Sequence, residues 1–175
     1  MVTKDFNKKQ TIILCCLLLI AVFLFSTKLN EKAFLFLYII IFPSLFLYNI
    51  YLKKIILIGN LIVSFLLGSV FIFTELALQN TFHILIVPFG LTVMFSLIRE
   101  LIKDMHDYEG DKMLKMKTFP LIFGIYKARI LIGGLIVLGL FVFIVPYLFL
   151  GYTLMYFILI IIIIEIPLIY SLFLI

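Results

Sequence analysis

Five of the nine acidic residues in this 175-residue chain, Glu100, Asp104, Asp107, Glu109 and Asp111, fall within twelve positions. They lie in the run Arg99-Glu-Leu-Ile-Lys-Asp-Met-His-Asp-Tyr-Glu-Gly-Asp111. Asp104, Asp107 and Asp111 are spaced i, i+3 and i+7, so a helix continuing through them stacks them on one face. Carboxylates that close repel one another unless a cation relieves them. The cation this pattern suggests is magnesium, which takes oxygen ligands, keeps several waters, and is held by one or two carboxylates together with substrate phosphates. A diphosphate is the natural third party. Lys103, Lys112, Lys115, Lys117, Lys127 and Arg129 flank the acidic face; their amines and guanidinium can bind phosphate oxygens and offset charge on a leaving diphosphate. On these grounds alone a solvated mixed-charge connector explains the segment equally well. The helical spacing of the aspartates and the length of the connector are what favour a site.

The elements that must position these residues are membrane spans. Hydrophobic residues make up 66% of the chain and charged residues 13%, with a mean hydropathy of +1.34. A soluble domain carries about 25% charged residues. Apolar stretches without an internal Lys, Arg, Asp or Glu run through 10–27, 33–52, 55–74, 76–98, 130–164 and 166–175. The tract from 130 onward is too long for one span. The Gly151-Tyr-Thr153 step after Pro146 divides it into helices over 129–150 and 152–175. The first run lacks a small-residue cleavage site and further spans follow, so it is not a cleavable signal. The expected fold class is therefore all-α, a polytopic membrane bundle of about six helices without a sheet. Pro43 and Pro88 are expected to bend their helices.

With six spans, twelve of the fourteen basic residues fall on one side and only Lys28 and Lys32 on the other. Positive charge marks the cytoplasmic side, so the acidic connector is expected there. The net charge of +5 is then a topology signal, and there is no basic, aromatic-interleaved soluble surface to suggest nucleic-acid binding. Cys15 and Cys16, adjacent in the first span, read as small packing residues, with neither a disulfide framework nor a metal site implied. His83 reads as interfacial, and His106 is of interest only for its acidic neighbours. Glu165, followed by Pro167, sits in the last apolar tract. It is either a functional intramembrane acid or an interfacial residue at a helix bend.

At this point the residues carry a resemblance. Asp104-Met-His-Asp-Tyr-Glu-Gly-Asp111, followed by Lys117-Thr-Phe-Pro120 and Gly124, resembles the second aspartate-rich motif of the UbiA superfamily of intramembrane prenyltransferases. Tyr48-Asn-Ile-Tyr-Leu-Lys53-Lys-Ile-Ile-Leu-Ile-Gly59-Asn60 resembles that family's loop and helix start between its fourth and fifth spans. The wording of the acidic run is most similar to members related to geranylgeranylglyceryl phosphate synthases.

The resemblance implies a helical bundle, usually of nine spans, that moves a prenyl group from a prenyl diphosphate to an aromatic or lipid acceptor using magnesium. Two aspartate-rich loops face each other over a cavity. It implies Asp104, Asp107 and Asp111 as metal-side catalytic carboxylates, with Glu109 as a lesser metal candidate. Lys53, Lys103 and Lys117 are implied on the phosphate side and Asn60 as a cavity-lining polar residue. The first aspartate-rich motif is absent, because before residue 99 the only acids are Asp5, Glu31 and Glu75. Residues 1–10 look like the stretch just after it. The expectation is one UbiA-like domain over 1–175 that corresponds to the third through eighth spans, is incomplete at both termini, and draws on a separately encoded N-terminal portion. Two other classes stand beside this one: a non-catalytic membrane subunit that keeps the fold, and a transporter, which polar residues within the spans would favour but which this sequence nearly lacks.

Overall fold

A computed structural model describes residues 8–81, 83, 85–114 and 116–174. Lys4 and Lys115, both used in the orientation argument, and most of the stretch 1–10 lie outside the described residues. Among those described there are six long helices, two short ones and no strand. The long helices are α1 (Lys8–Ser26), α2 (Glu31–Ile50), α3 (Ile58–Gln79), α4 (Ile86–His106), α7 (Ile125–Phe149) and α8 (154–174). The short ones, α5 (Tyr108–Met113) and α6 (Phe119–Phe123), belong to the acidic connector. Helices α1, α2, α3 and α7 are each long and apolar enough to cross a membrane. α4 is apolar only until Arg99, and α8 is a shorter apolar helix interrupted by a π turn. The chain is an all-helical integral membrane bundle.

α4 is the central helix. Its Ile98, Leu101 and Met105 pack with Ala128, Ile132 and Ile136 of α7 and Leu168 of α8 in the main apolar core. On its other side α4 lies against α3, and Gly68 sets the approach. A Cβ at Gly68 would sit 2.6 Å from Val93 Cγ2 and 3.0 Å from the Phe89 carbonyl. Small residues at such crossings let spans in a membrane pack closely where no hydrophobic effect drives them together. A second cluster, Ala33, Ile72 and Leu76, joins α2 to α3. α1 rests on α2 through a 2.8 Å hydrogen bond between the Ser26 and Tyr38 hydroxyls and an edge-on contact of Phe23 with Tyr38. Its remaining surface, Cys15 and Cys16 included, faces outward. Among the described residues, neither cysteine packs inside the bundle, contrary to the expectation from sequence.

The step between the third and fourth spans, expected near 75–81, lies at 80–85. α3 continues through Glu75 to Gln79, and Asn80 closes it in the left-handed region at φ 55°, donating its N–H to the Leu76 carbonyl. An asparagine tolerates that conformation better than most side chains. Glu75 is buried because the loop supplies its partners: its carboxylate accepts from the His83 N–H at 2.7 Å, the Leu85 N–H at 2.8 Å and the Thr81 hydroxyl at 3.2 Å. The division of the C-terminal tract at 150–153 is where it was expected.

Prolines shape two helices. Pro43 follows a π-helical stretch at Phe36–Ile41, and Pro167 follows another at Ile161–Glu165. A proline has no N–H and its ring crowds the carbonyl four residues back, and a wider turn just upstream accommodates both defects. Pro88 sits in the first turn of α4, where its missing N–H has no intrahelical partner to lose.

Candidate active site

The alternation of the helices places 51–57 and 107–124 at one end of the bundle and the connectors 27–30, 80–85 and 150–153 at the other. The charged end holds the predicted site. α4 carries Asp104 and ends at His106, with Asp107 at the joint to α5 (φ −83°, ψ 6°). Hydrogen bonding continues through the joint. The Asp107 N–H donates to the Lys103 carbonyl at 2.9 Å and the Asp111 N–H to the Asp107 carbonyl at 2.8 Å. The helical repeat anticipated from the spacing therefore survives with one relaxed residue. Asp104 and Asp111 are half-buried, whereas Asp107 and Glu109 are exposed.

Asp104 is the best-positioned of the four. Asn60, in the first turn of α3, donates from Nδ2 to Asp104 Oδ2 at 2.9 Å, so the structure brings together two residues that sequence reasoning named separately. Burial holds the Asp104 carboxyl above the ordinary carboxylate range. The Asn60 bond opposes that shift, Asp111 and Glu100 add to it by charge repulsion, and Lys103 lowers it. Asp111 is thus close enough for its charge to be felt.

Lys53 and Lys117, distant in sequence, line one cavity of about 300 Å³ with Lys54 and Met116. Lys53 and Lys54 stand on a 3-10 turn, Leu52–Lys54, which is followed by a γ-turn at Leu57. There φ is 64° and the Ile58 N–H reaches the Ile56 carbonyl at 2.8 Å. A leucine in that region is strained, and the strain persists only where the surroundings enforce it; Leu57 packs against the main core. The turn lays the Lys53 backbone over Gly59, where a Cβ would lie 3.4 Å from Lys53 Cα. The lysine cavity and the Asn60–Asp104 pair consequently flank the same first turn of α3.

The other sequence candidates belong to neither the Asn60–Asp104 hydrogen bond nor the lining given for the lysine cavity. Lys103 is exposed beside Asp104, Lys112 stands 6.0 Å from the Tyr108 ring centroid, Lys127 and Arg129 are exposed, and Arg99 pairs with Glu100 at 2.6 Å. His106 Nδ1 lies 3.1 Å from the Ile102 carbonyl of its own helix. Glu165 is buried in the π turn of α8, and its carboxyl oxygens have no hydrogen-bond partner among the described residues. Sequence reasoning missed Lys54 as a cavity residue and Glu75 as a buried anchor. A dibasic pair gives no sign of which member converges on a partner loop, and an isolated acid gives no sign that a loop will fold back onto it.

Among the described residues, no three His, Cys, Asp or Glu side chains close around a common point. Magnesium in diphosphate sites takes one or two carboxylates and completes its shell with phosphate and water. Half-buried Asp104, oriented by Asn60, can supply one such ligand, and Asp111 the next nearest.

Comparison with known proteins gives one answer. The model of the UbiA prenyltransferase family matches residues 1–175. Digeranylgeranylglyceryl phosphate synthase from Methanospirillum hungatei is 48% identical over 83 residues, 46% of this chain and 29% of that protein. The proteins of the same name from Haloquadratum walsbyi and Methanopyrus kandleri are 34% identical over 96 residues (51% of this chain, 32% of that protein) and 41% identical over 80 residues (46% and 29%). A solved structure described as structural and mechanistic insights into the biosynthesis of digeranylgeranylglyceryl phosphate synthase in membranes superposes with a TM-score of 0.76 at 28% identity, covering 99% of this chain and 61% of that one. The matched region spans about a third of the length of the curated relatives, and the chain about three-fifths of the solved relative.

Proposed function

The chain belongs to the UbiA prenyltransferase family, and from that premise we propose that it carries one half of a magnesium-dependent site for moving a prenyl group from a prenyl diphosphate to a lipid acceptor. The observation that carries this reading is the half-buried Asp104 carboxylate, held by Asn60 beside a cavity lined by three lysines. The names of the relatives favour a prenylated glyceryl phosphate over an aromatic acceptor. The first aspartate-rich loop that the family resemblance implies is assigned to polypeptide equivalent to the part of the solved relative left uncovered, and this UbiA-like domain acts with that portion.

In this reaction the bond between the allylic carbon and the diphosphate oxygen breaks, the acceptor oxygen bonds to that carbon, and the acceptor proton is released. Magnesium, when bound, supplies positive charge to the departing diphosphate. Asp104 and Asp111 would hold the ion, with the exposed Asp107 and Glu109 as further candidate ligands, and Asn60 would keep Asp104 aimed. Lys103, Lys53 and Lys117 bind phosphate oxygens, so negative charge is met where it develops. The apolar walls of α3, α4 and α7 exclude water that would otherwise capture the prenyl centre. The loop containing these groups faces the cytoplasm by its positive charge.

The test is turnover of a prenyl diphosphate by the natural protein in membranes. Asp104→Ala, Asp107→Ala and Asp111→Ala should each lower magnesium-dependent transfer, Asp104→Ala by about 10²-fold, the size expected when one preorganised electrostatic group is lost. Glu31→Ala, at the opposite end, should leave it unchanged. Aspartate variants that behave like Glu31→Ala would overturn the reading.

A further inference from the structure

We propose that Glu100 is the base that accepts the proton of the acceptor hydroxyl as the new carbon–oxygen bond forms. This inference rests on the prenyl-transfer reading and gives a receiver to the proton that the reaction releases.

Glu100 stands on the stripe of α4 that meets α3. Phe89 and Val93 approach α3 at Gly68, and Asp104 meets it at Asn60. Glu100 follows Val93 by seven residues and precedes Asp104 by four, so helical periodicity sets it on the same stripe. Because α4 runs toward the charged end, Glu100 lies about 6 Å nearer the membrane interior than Asp104. Ser64 occupies the matching level of α3, one turn inward from Asn60. It is fully buried, and its hydroxyl donates to the Asn60 carbonyl at 2.7 Å. Arg99 holds Glu100 Oε1 at 2.6 Å, whereas Oε2 makes no hydrogen bond among the described residues. The Arg99 side chain is 58% exposed and that of Glu100 only 15%. Ion pairing alone gives no reason for an acid on the stripe where α3 and α4 meet, since an exposed pair contributes little to stability.

The reaction fixes the depth at which the proton must be received. With the diphosphate at Asp104 and the prenyl tail among the apolar walls, the reacting carbon lies on the membrane side of Asp104, at the level of Glu100. There the acceptor O–H bond breaks. Its electron pair stays on the oxygen, which bonds to the allylic carbon, and its proton passes to Glu100 Oε2. The carbon's bond to the diphosphate breaks with its electron pair on the leaving oxygen. Bulk water is excluded at that depth, so a positioned carboxylate replaces it as the proton acceptor. The part-exposed edge of Glu100 lets the proton pass on to solvent after turnover. The other described acids stand elsewhere. Asp104 serves the ion in that reading, and Asp107, Glu109 and Asp111 lie past the end of α4. Glu31 and Glu75 belong to the opposite end, and Glu165 is sealed in the π turn of α8.

Transfer from geranylgeranyl diphosphate by the purified natural protein in nanodiscs tests this, with two acceptors: geranylgeranylglyceryl phosphate and its analogue with a thiol in place of the reacting hydroxyl. Glu100→Gln keeps the shape of the side chain and removes the base. It should lower kcat with the hydroxyl acceptor by about 10²-fold or more, the usual size of a general-base contribution. The KM for the diphosphate should stay within about twofold, which also shows that the bundle is folded. A thiol gives up its proton near pH 8.5 and needs the base far less, so the same variant should transfer to the thiol acceptor with a deficit at least about tenfold smaller. Glu100→Asp, which keeps the base on a shorter stem, should recover part of the loss. Arg99→Gln, which removes only the ion pair, should cost much less than Glu100→Gln. The inference is overturned if Glu100→Gln transfers at the unaltered rate, if its deficit is equal for the two acceptors, or if Arg99→Gln loses as much. Absence of magnesium-dependent transfer by the unaltered protein would instead defeat the prenyl-transfer reading, and this inference with it.

Discussion

The two ends of this bundle use their polar side chains in opposite ways. At the end formed by 27–30, 80–85 and 150–153, polar groups are turned on the protein's own backbone. Asn30 caps α2 through its bond from the Ala33 N–H and also donates to the Leu76 and Ala77 carbonyls, Lys32 donates to the Asn80 carbonyl, and Glu75 gathers the loop ahead of α4. At the charged end, Asp107, Glu109, Lys53, Lys54 and Lys117 remain exposed, and the prominent side-chain bond, Asn60 to Asp104, aims a carboxylate instead of closing a loop. Under the proposed function the exposed groups of the charged end are the ones a bound ligand would satisfy, whereas the other end satisfies its own donors and acceptors.

The comparison breaks most decisively if the ends are assigned to the wrong sides of the membrane. A single cysteine at position 113, in a background lacking Cys15 and Cys16, should be labelled by an impermeant reagent only after the membrane is opened. Labelling from outside intact cells would reverse the orientation. Next in size is Glu75→Ala, which leaves the His83 and Leu85 N–H groups without their carboxylate. It should lower stability by about 1–3 kcal/mol, read as an earlier thermal midpoint in detergent, without altering ligand affinity at the charged end. A Glu75→Ala protein that melts normally would remove the contrast between the ends. Gly68→Ala should cost about 1–3 kcal/mol by overpacking α3 against Val93 and Phe89, and an unchanged midpoint would show that the crossing is looser than described.

The smallest effect is a pH dependence. Burial raises the Asp104 carboxyl above its ordinary value of 3.8. Its contribution to stability is therefore complete below that value and lost as pH rises through the shifted one. Near neutral pH the ligand-free end carries that cost in full, and magnesium with a diphosphate should offset it. Thermal stabilisation by the pair should thus be greatest near neutral pH and shrink as the pH falls into the raised titration range of Asp104. A stabilisation that stays flat with pH would separate the ligand from this carboxylate.

Much of this was legible in the sequence because the membrane enforces it. Uninterrupted apolar runs of about twenty residues can only be helices, and the helical spacing of Asp104, Asp107 and Asp111 survives the relaxed joint at Asp107. The motif from 104 to 124 also carried the family, which the match over the whole chain bears out. What could not be read depended on contacts between segments distant in sequence. Glu75 marked a span boundary in the sequence because a charge in an apolar run ordinarily does, yet here the loop folds back to satisfy it. Cys15 and Cys16 face outward because α1 meets its neighbour chiefly through Ser26, Phe23 and Tyr38. The convergence of Lys54 with Lys53 and Lys117 depends on a backbone turn at Leu57 that no residue-type preference announces.

The central claim, that Asp104 serves a metal-bound diphosphate, is tested most directly by manganese as a spectroscopic stand-in for magnesium. Electron paramagnetic resonance of the natural protein with manganese and geranylgeranyl diphosphate should show a bound-ion signal that depends on the diphosphate. Glu31→Gln should retain that signal, and Asp104→Asn, which keeps the shape of the side chain and removes its charge, should lose it. A bound-ion signal of undiminished strength in Asp104→Asn would contradict the account.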